Sequence, residues 1–211
     1  MYNPAAFRED RPEILHGLIR QARLALLISN GAGGVPDITH LPLTLDEAGG
    51  MLIGHVARAN PHWQALRAAG RAIAVFRGAE AYVSPNWYPS KAEHHKVVPT
   101  WNYEAVHAEG PVEIIEDRDR LHAIVTQLTT EKEASQPSPW AVADAPEAFV
   151  AGQLKGIVGL VLRIEVLTGK RKMSQNRAPA DRDGAAAGLA GSADPRDRAA
   201  AAAIRQVAGG D

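Results

Sequence analysis

Four short segments of the chain place polar, cationic and aromatic residues beside predicted strands. They occupy residues 39–43, 54–63, 84–103 and 170–177. Residues of these types bind anionic and planar ligands, but they also occur in ordinary cores and on ordinary surfaces. Each segment is therefore weighed both as a binding site and as plain structure.

The segment at 54–63 runs from a predicted strand, through Arg58, to a helix that starts at Asn60-Pro61. Backbone N–H groups at the start of that helix, together with the charge of Arg58, can bind a phosphate. The same pattern is also typical of a surface helix with a solvated arginine. Both interpretations stay open at this point.

Two further segments offer aromatic and cationic surface. Planar side chains with polar tips are supplied by Trp87, Tyr88, Trp101 and Tyr103, which could instead pack in the core. Three cations at 170–172 precede the amide pair Gln175-Asn176, and this pattern suits either an anion site or a solvated strand end.

Composition excludes several classes of function. The chain has no cysteine, so disulfides, thiolate metal sites and cysteine nucleophiles are ruled out. A formal net charge of −1 argues against a strongly basic nucleic-acid coat. No apolar run approaches the roughly 18 residues of a membrane span. The adjacent His94 and His95 lack a third ligand at suitable spacing, so we expect no metal site. From the short apolar runs and the absence of cysteine we expect a cytoplasmic protein without a membrane segment.

The chain divides into a patterned body, residues 1–177, and a tail rich in Ala and Gly, residues 178–211. The large apolar residues of the tail are only Leu189, Ile204 and Val207, which is little to offset the entropy of ordering. We therefore predict that the tail is partly disordered, with residues 180–193 mobile. The alternative is a short helix from Asp194 to Val207, capped by Asp194 with Pro195 first.

The body predicts a mainly β fold with flanking helices. Predicted strands cover 23–29, 37–43, 51–56, a hairpin of 72–76 and 79–83 across Arg77-Gly78, strands 100–108 and 112–116 separated by Gly110-Pro111, and 157–166. Predicted helices start near residues 10 and 60 and cover 118–131 and 146–154. Many strands at short spacing without βαβ alternation indicate an antiparallel barrel with helices outside.

Five motifs together resemble one family. They are Thr-His-Leu-Pro-Leu at 39–43, Gly-His-x-Ala-Arg-Ala-Asn-Pro at 54–61, Ser-Pro-x-Trp-Tyr at 84–88, Val-Pro-Thr-Trp-Asn-Tyr at 98–103 and Ser-Gln-Asn at 174–176. Over about residues 1–177 the chain resembles the PaiB family, described as FMN-binding negative transcriptional regulators. The resemblance implies the antiparallel FMN-binding split β-barrel of pyridoxamine-phosphate oxidases and flavin reductases, in a homodimer with FMN at the subunit interface.

The resemblance also implies roles for single residues. Along the isoalloxazine it places Thr39, His40, Leu41 and Pro42. It places the phosphate at Arg58 and Asn60, with backbone groups around Val56 and Ala57. It counts His55 among the cofactor-binding residues without a more specific role. Residues implied to close the site, from the same or the other subunit, are Thr100, Trp101, Asn102, Lys172, Ser174, Gln175 and Asn176.

Three classes of function remain open. They are an FMN-binding regulator, a flavin-dependent oxidoreductase or flavin reductase, and a structural dimer that has lost cofactor affinity. His40, His55 and His107 are possible proton donors for the second class, although no pattern singles one out. Direct DNA binding would rely on the cations at 170–172, presented twice by a dimer.

Overall fold

The computed structural model describes residues 1–31 and 33–209 of the chain. Its helices are α1 (Pro12–Gln21), α2 (His62–Ala69), α3 (Ser90–His94), α4 (Arg118–Glu133), α5 (Glu147–Leu154), α6 (Pro179–Ala190) and α7 (Pro195–Ala208). Its strands are β1 (Arg8–Glu9), β2 (Ala25–Ser29), β3 (Asp37–Leu41), β4 (Thr44–Asp46), β5 (Met51–Ala57), β6 (Arg71–Val83), β7 (Thr100–Ile115), β8 (Ile157–Arg163) and β9 (Val166–Lys172). The predicted mainly β fold with flanking helices is confirmed.

The chain forms two compact units. Unit 1 contains residues 1–18, 77–106 and the described chain from 168 onward, and unit 2 contains residues 19–76 and 107–167. Strands β6 and β7 each contribute residues to both units.

Unit 2 is built on antiparallel strands in the order β3-β2-β6-β7-β8-β5-β4. Strand β5 pairs along its whole length with β8, from Met51 opposite Arg163 to Ala57 opposite Ile157. Helices α4 and α5 pack on β8, and α4 also packs on β5. This places an apolar core under the helices, formed by Ile53, Ile115, Leu121, Ile124, Leu128 and Leu154.

The predicted hairpin at Gly78 and the predicted break between two strands at Gly110 are wrong, because β6 and β7 are continuous through these glycines. Neither glycine has a positive φ. A Cβ on Gly78 would lie 2.8 Å from the Cβ of Glu104, and one on Gly110 would overlap the carbonyl oxygen of Arg163. Both glycines therefore permit a close approach of neighbouring chain inside a strand rather than a turn.

Unit 1 contains the pairs β1–β9 and β7–β9, and its core includes the C-terminal helices. The predicted mobile segment 180–193 is wrong, since it forms most of α6 and buries Leu189 completely. Helix α7 is the predicted one, with Pro195 first and the Asp194 carboxylate accepting from the Arg196 N–H at 2.8 Å. Of the predicted tail, Gly210 and Asp211 lie outside the described residues.

Small residues explain why this segment packs despite its composition. The backbone of α6 lies so close to Trp87 that a Cβ on Gly184 or Gly188 would overlap it. Alanines of both helices are buried with Leu189 and Ile204, namely Ala185, Ala186, Ala200, Ala201 and Ala203. The contacts of many small apolar side chains thus stabilise a segment that has few large apolar side chains to bury.

Within the described ranges, none of the helices combines the length and apolar character that crossing a bilayer requires.

Candidate functional site

A hydrogen-bonded chain of four side chains joins β2, β3 and the start of α2 in unit 2. Asn60 donates from Nδ2 to Thr39 Oγ1 at 3.1 Å, and Thr39 Oγ1 lies 2.7 Å from His62 Nδ1. His62 Nε2 lies 3.0 Å from Ser29 Oγ, and the His62 N–H donates to Asn60 Oδ1 at 3.0 Å. The predicted residues Thr39 and Asn60 are therefore brought together, although 21 positions separate them.

His62 and Ser29 were not among the predicted site residues. His62 is 4% exposed, and burial lowers its pKa, while the charge of Asp37 opposes that shift. The neutral ring can bond Thr39 and Ser29 in either tautomer, because a hydroxyl both donates and accepts. The only signal in the sequence was the Asn60-Pro61-His62 order, which allows an asparagine to accept from the N–H two residues on.

These histidines predict how stability depends on pH. Burial lowers the pKa of His55, His62 and His107 in the folded chain, so the unfolded chain binds more protons below about pH 6.5. We expect the free energy of unfolding to be constant near neutral pH and to fall as the pH drops from about 6.5 toward 5. Urea unfolding at several pH values measures this slope.

A histidine pair provides the control for that experiment. His62→Gln should reduce the slope, whereas His122→Gln, at an exposed position of α4, should leave it unchanged. An unchanged slope in His62→Gln would show that His62 does not contribute to the pH dependence.

Arg58 follows β5 and is tied to three parts of unit 2. It donates from Nε to the Lys155 carbonyl at 3.0 Å and from Nη2 to the Ile157 carbonyl at 3.1 Å. Its Nη1 donates to Glu116 at 2.7 Å, and Arg67 donates to the other oxygen of that carboxylate. The two arginines therefore lower the pKa of Glu116. Arg58 keeps two of its five N–H donors for a ligand, since three are engaged.

A cavity of about 440 Å³ adjoins Arg58. Its charged lining residues are Arg58, Arg118, Lys155 and Glu116, beside Leu121, Ala151 and Leu154. Three cations against one carboxylate leave an excess of positive charge, which suits a dianionic phosphate. The donor set at this cavity therefore fits the phosphate of a nucleotide cofactor.

His55, predicted as a cofactor-binding residue, faces a different cavity of about 260 Å³. This cavity is mostly apolar, is lined by Trp140 and Phe149, and shares Leu154 with the cavity at Arg58. The Nδ1 atom of His55 is buried without a hydrogen-bond partner. Burial favours its neutral ring, which can bond a ligand group that enters the cavity.

The remaining predicted residues of unit 2 differ in exposure. Leu41 and Val56 are buried, whereas His40, Pro42 and Ala57 are exposed. A Cβ on Gly54 would lie 3.0 Å from the Pro42 carbonyl oxygen, so the segments 39–43 and 54–60 do approach each other. His40 and Pro42 are thus accessible to a ligand, whereas Leu41 and Val56 support the core.

In unit 1 the predicted segments 100–102 and 172–176 also come together. Lys172 donates from Nζ to Thr100 Oγ1 at 2.5 Å and to the Trp101 carbonyl at 2.8 Å. Burial lowers the pKa of Lys172, and the charges of Lys170 and Arg177 lower it further, against an opposing effect of Tyr103. An anion near Lys172 would relieve this repulsion between cations.

Other predicted residues of unit 1 are satisfied by one another. Asn102 is fully buried and donates from Nδ2 to Ser174 Oγ at 2.9 Å. The backbone of Ser174 has φ +64°, a conformation that residues other than glycine rarely adopt. Gln175 accepts from the Met173 N–H at 2.6 Å and donates to the Arg171 carbonyl. These three residues hold the turn after β9, whereas Trp101 and Asn176 are exposed.

Of the two interpretations left open for the cations at 170–172, the solvated strand end does not apply to Lys170 and Arg171. Lys170 and Arg171 are each 5% exposed. Lys170 donates to the Tyr2 carbonyl at 2.9 Å and lies 5.5 Å and 5.1 Å from the ring centroids of Tyr2 and Tyr103. Arg171 donates to Glu104 at 2.6 Å. These two cations are therefore buried and have partners inside unit 1.

Metal ligands do not cluster in residues 1–31 and 33–209: no three His, Asp or Glu side chains there lie together in a way that could hold an ion.

The fold belongs to the class of flavin-binding split-barrel proteins. Residues 1–166 match the family described as "Putative FMN-binding domain", and the chain belongs to that PaiB-like family. The family assigns FMN as the cofactor.

One relative agrees with the family, and two solved structures agree with the fold. "Protease synthase and sporulation protein PAI 2" of Bacillus subtilis is 30% identical, over 86% of this chain and 85% of its own. The conserved hypothetical protein Rv2991 of Mycobacterium tuberculosis superposes with TM-score 0.60 at 15% identity, over 84% of this chain and 94% of its own. The flavocytochrome Anf3 of Azotobacter vinelandii superposes with TM-score 0.58 at 14% identity, over 78% of this chain and 69% of its own. The two structures support the fold alone.

Proposed function

We propose that the protein is a homodimeric FMN protein that acts through the redox chemistry of its bound flavin, with the FMN phosphate held in the cavity at Arg58. The observation that carries this proposal is the excess of cations around that cavity, from Arg58, Arg118 and Lys155. When bound, FMN supplies hydride or single-electron transfer.

The chain's own residues would position the cofactor. Arg58 is held by two backbone carbonyls, so its guanidinium has a defined orientation before a phosphate arrives. Such preorganisation reduces the entropy lost on binding. The His62 chain similarly fixes the hydroxyl of Thr39 and the amide of Asn60. His40 is exposed and remains a predicted contact of the flavin ring, whereas the exposed Trp101 and Asn176 remain predicted to close the site from the same or the other subunit.

Two features support a homodimer. Strand β3 ends the strand order of unit 2, and an unpaired strand edge favours association. The exposed side chains on and before β3 include Val35 and Ile38, which are 73% and 56% exposed. The family resemblance implies a homodimer with FMN at the interface, and we propose a second copy of the chain as the occupant of this surface.

Regulation of transcription by direct DNA contact is less well supported. The name of the Bacillus relative refers to protease synthesis and sporulation, which suits a regulator. However, Lys170 and Arg171 are buried and partnered, so the segment expected to contact phosphates is not available for that role. An effect on gene expression would then depend on the flavin chemistry rather than on these cations.

Arg58→Ala tests the proposal. We expect the dissociation constant for FMN to rise about tenfold to a hundredfold, because one charged phosphate contact is lost. Riboflavin, which lacks the phosphate, should be much less affected. Quenching of flavin fluorescence measures both, and Glu116→Gln should tighten FMN by removing the carboxylate that competes for Arg58.

Arg67→Ala is the matched control, since Arg67 also bonds Glu116 but does not line the cavity. Arg58→Lys, which keeps the charge, separates loss of the phosphate contact from loss of the backbone bonds. If Arg58→Ala binds FMN as tightly as the parent, the phosphate lies elsewhere. Sedimentation of the FMN complex as a monomer would contradict the dimer.

A further inference from the structure

Unit 1 contains a cavity of about 450 Å³ lined by four arginines. They are Arg8, Arg11, Arg171 and Arg182, and the acidic residue that lines the cavity with them is Glu9. The guanidinium group matches phosphate and carboxylate oxygens with paired N–H donors. A cavity of this composition is therefore suited to an anion.

Three of the arginines already have acidic partners. Arg11 donates to both oxygens of Glu9, at 2.8 Å and 2.7 Å, and Arg8 lies 2.9 Å from Asp10. Arg171 donates to Glu104 at 2.6 Å and lies 3.8 Å from Glu9. These contacts hold the guanidinium groups in place around the cavity and balance part of their charge.

Arg182 on α6 is different. Its Nε atom is buried and has no hydrogen-bond partner. Burying a charged donor without an acceptor is costly, and native structures satisfy nearly all such groups. Arg182 also lines the cavity, so an anion bound there would place acceptor oxygens beside this guanidinium group.

We propose that this cavity binds a small molecule that carries a phosphate monoester, at a site separate from that of FMN. The volume is within the range of about 300–1,000 Å³ of small-molecule sites and exceeds the need of a lone phosphate ion. The organic part would contact Ala6 and Val207, the apolar residues of the lining. This proposal does not depend on the site at Arg58, which belongs to unit 2.

Binding there would link three segments of unit 1. The lining residues come from the N-terminal segment, from β9 and the turn after it, and from the helices α6 and α7. A ligand that contacts all three stabilises the folded chain, because it does not bind the unfolded one.

Inorganic phosphate and ribose 5-phosphate are the probes for the test. The full chain is kept saturated with FMN, and its thermal unfolding is followed while phosphate replaces chloride at constant ionic strength. We expect both probes to raise the melting temperature. In Arg182→Gln the concentration needed for half of that rise should increase about tenfold or more. Arg205→Gln, an equal charge change at an exposed position of α7, should behave like the parent.

Three results would overturn the proposal. In the first, neither probe raises the melting temperature of the parent more than chloride does. In the second, Arg205→Gln weakens the effect of the probes on the melting temperature as much as Arg182→Gln does, so that only the overall charge matters. In the third, Arg182→Gln weakens FMN as much as it weakens phosphate, which would assign the cavity to the cofactor. Arg8→Gln, at an exposed side of the cavity, replaces Arg182→Gln if that variant does not fold.

Discussion

Leu189→Ala is expected to lower the free energy of unfolding by about 2–5 kcal/mol. Leu189 is fully buried in unit 1, in one cluster with Met173, Tyr88 and Ile204. Small residues surround it, and their packing leaves little freedom to refill the space of the lost side chain. Urea unfolding followed by circular dichroism measures the change.

Removal of the two C-terminal helices should have a larger effect. A chain that ends at Ala178 exposes Val83, Tyr88 and Met173, so we expect it to unfold or aggregate. Leu24→Ala is the control for Leu189→Ala. Because Leu24 is 54% exposed, its replacement should change the free energy of unfolding by less than about 0.5 kcal/mol. If the shortened chain unfolds at the parent's temperature, α6 and α7 do not belong to the core of unit 1.

Glu104→Leu is expected to cost about 3–5 kcal/mol, because it leaves the charge of Arg171 buried without its principal partner. Both side chains are almost fully buried, and 2.6 Å separates Arg171 Nε from Glu104 Oε1. Glu9 is the other acid near Arg171, at 3.8 Å, and it is also bonded by Arg11. Denaturant unfolding at neutral pH tests this expectation.

The double variant Glu104→Leu, Arg171→Met separates the pair from its surroundings. Replacing both charges by apolar side chains of similar size is often neutral, so the double variant should recover most of the lost stability. A double variant as unstable as Glu104→Leu alone would show that the lost stability comes from packing or from the hydrogen bond that Glu104 accepts from the Ala79 N–H.

Features encoded by neighbouring residues were predictable. The start of α7 follows from Asp194 and Pro195, and α4 follows from the apolar spacing of Leu121, Ile124 and Leu128. The family resemblance places the segments at 39–43 and 54–60 at the same cofactor, and the structure brings these two segments together. The hairpin predicted at Gly78 and the strand break predicted at Gly110 failed because a glycine in a strand permits close backbone contact as readily as it ends the strand.

The candidate site was predictable only in part. Residue types and the family resemblance selected Thr39, Arg58, Asn60 and Lys172 as site candidates, but they did not identify the residues that these side chains contact. His62 was missed because a histidine two residues after an asparagine has no distinctive spacing to a threonine 23 positions earlier. The role of Arg58 changed likewise when Glu116, 58 positions away, proved to be its partner.

By itself the sequence determined the mainly β fold, the family and FMN, because periodicity, capping and motifs are local properties that the order of residues records directly. Only the tertiary structure decided the environment of each charge and of each small residue. Lys170 and Arg171 could be read as a solvated cationic surface until partners from residues 2 and 104 proved to bury them. The alanines of α6 and α7 could be read as low complexity until they packed with Val83 and Met173. Burial depends on contacts between residues far apart in the chain, and a local pattern carries no information about them.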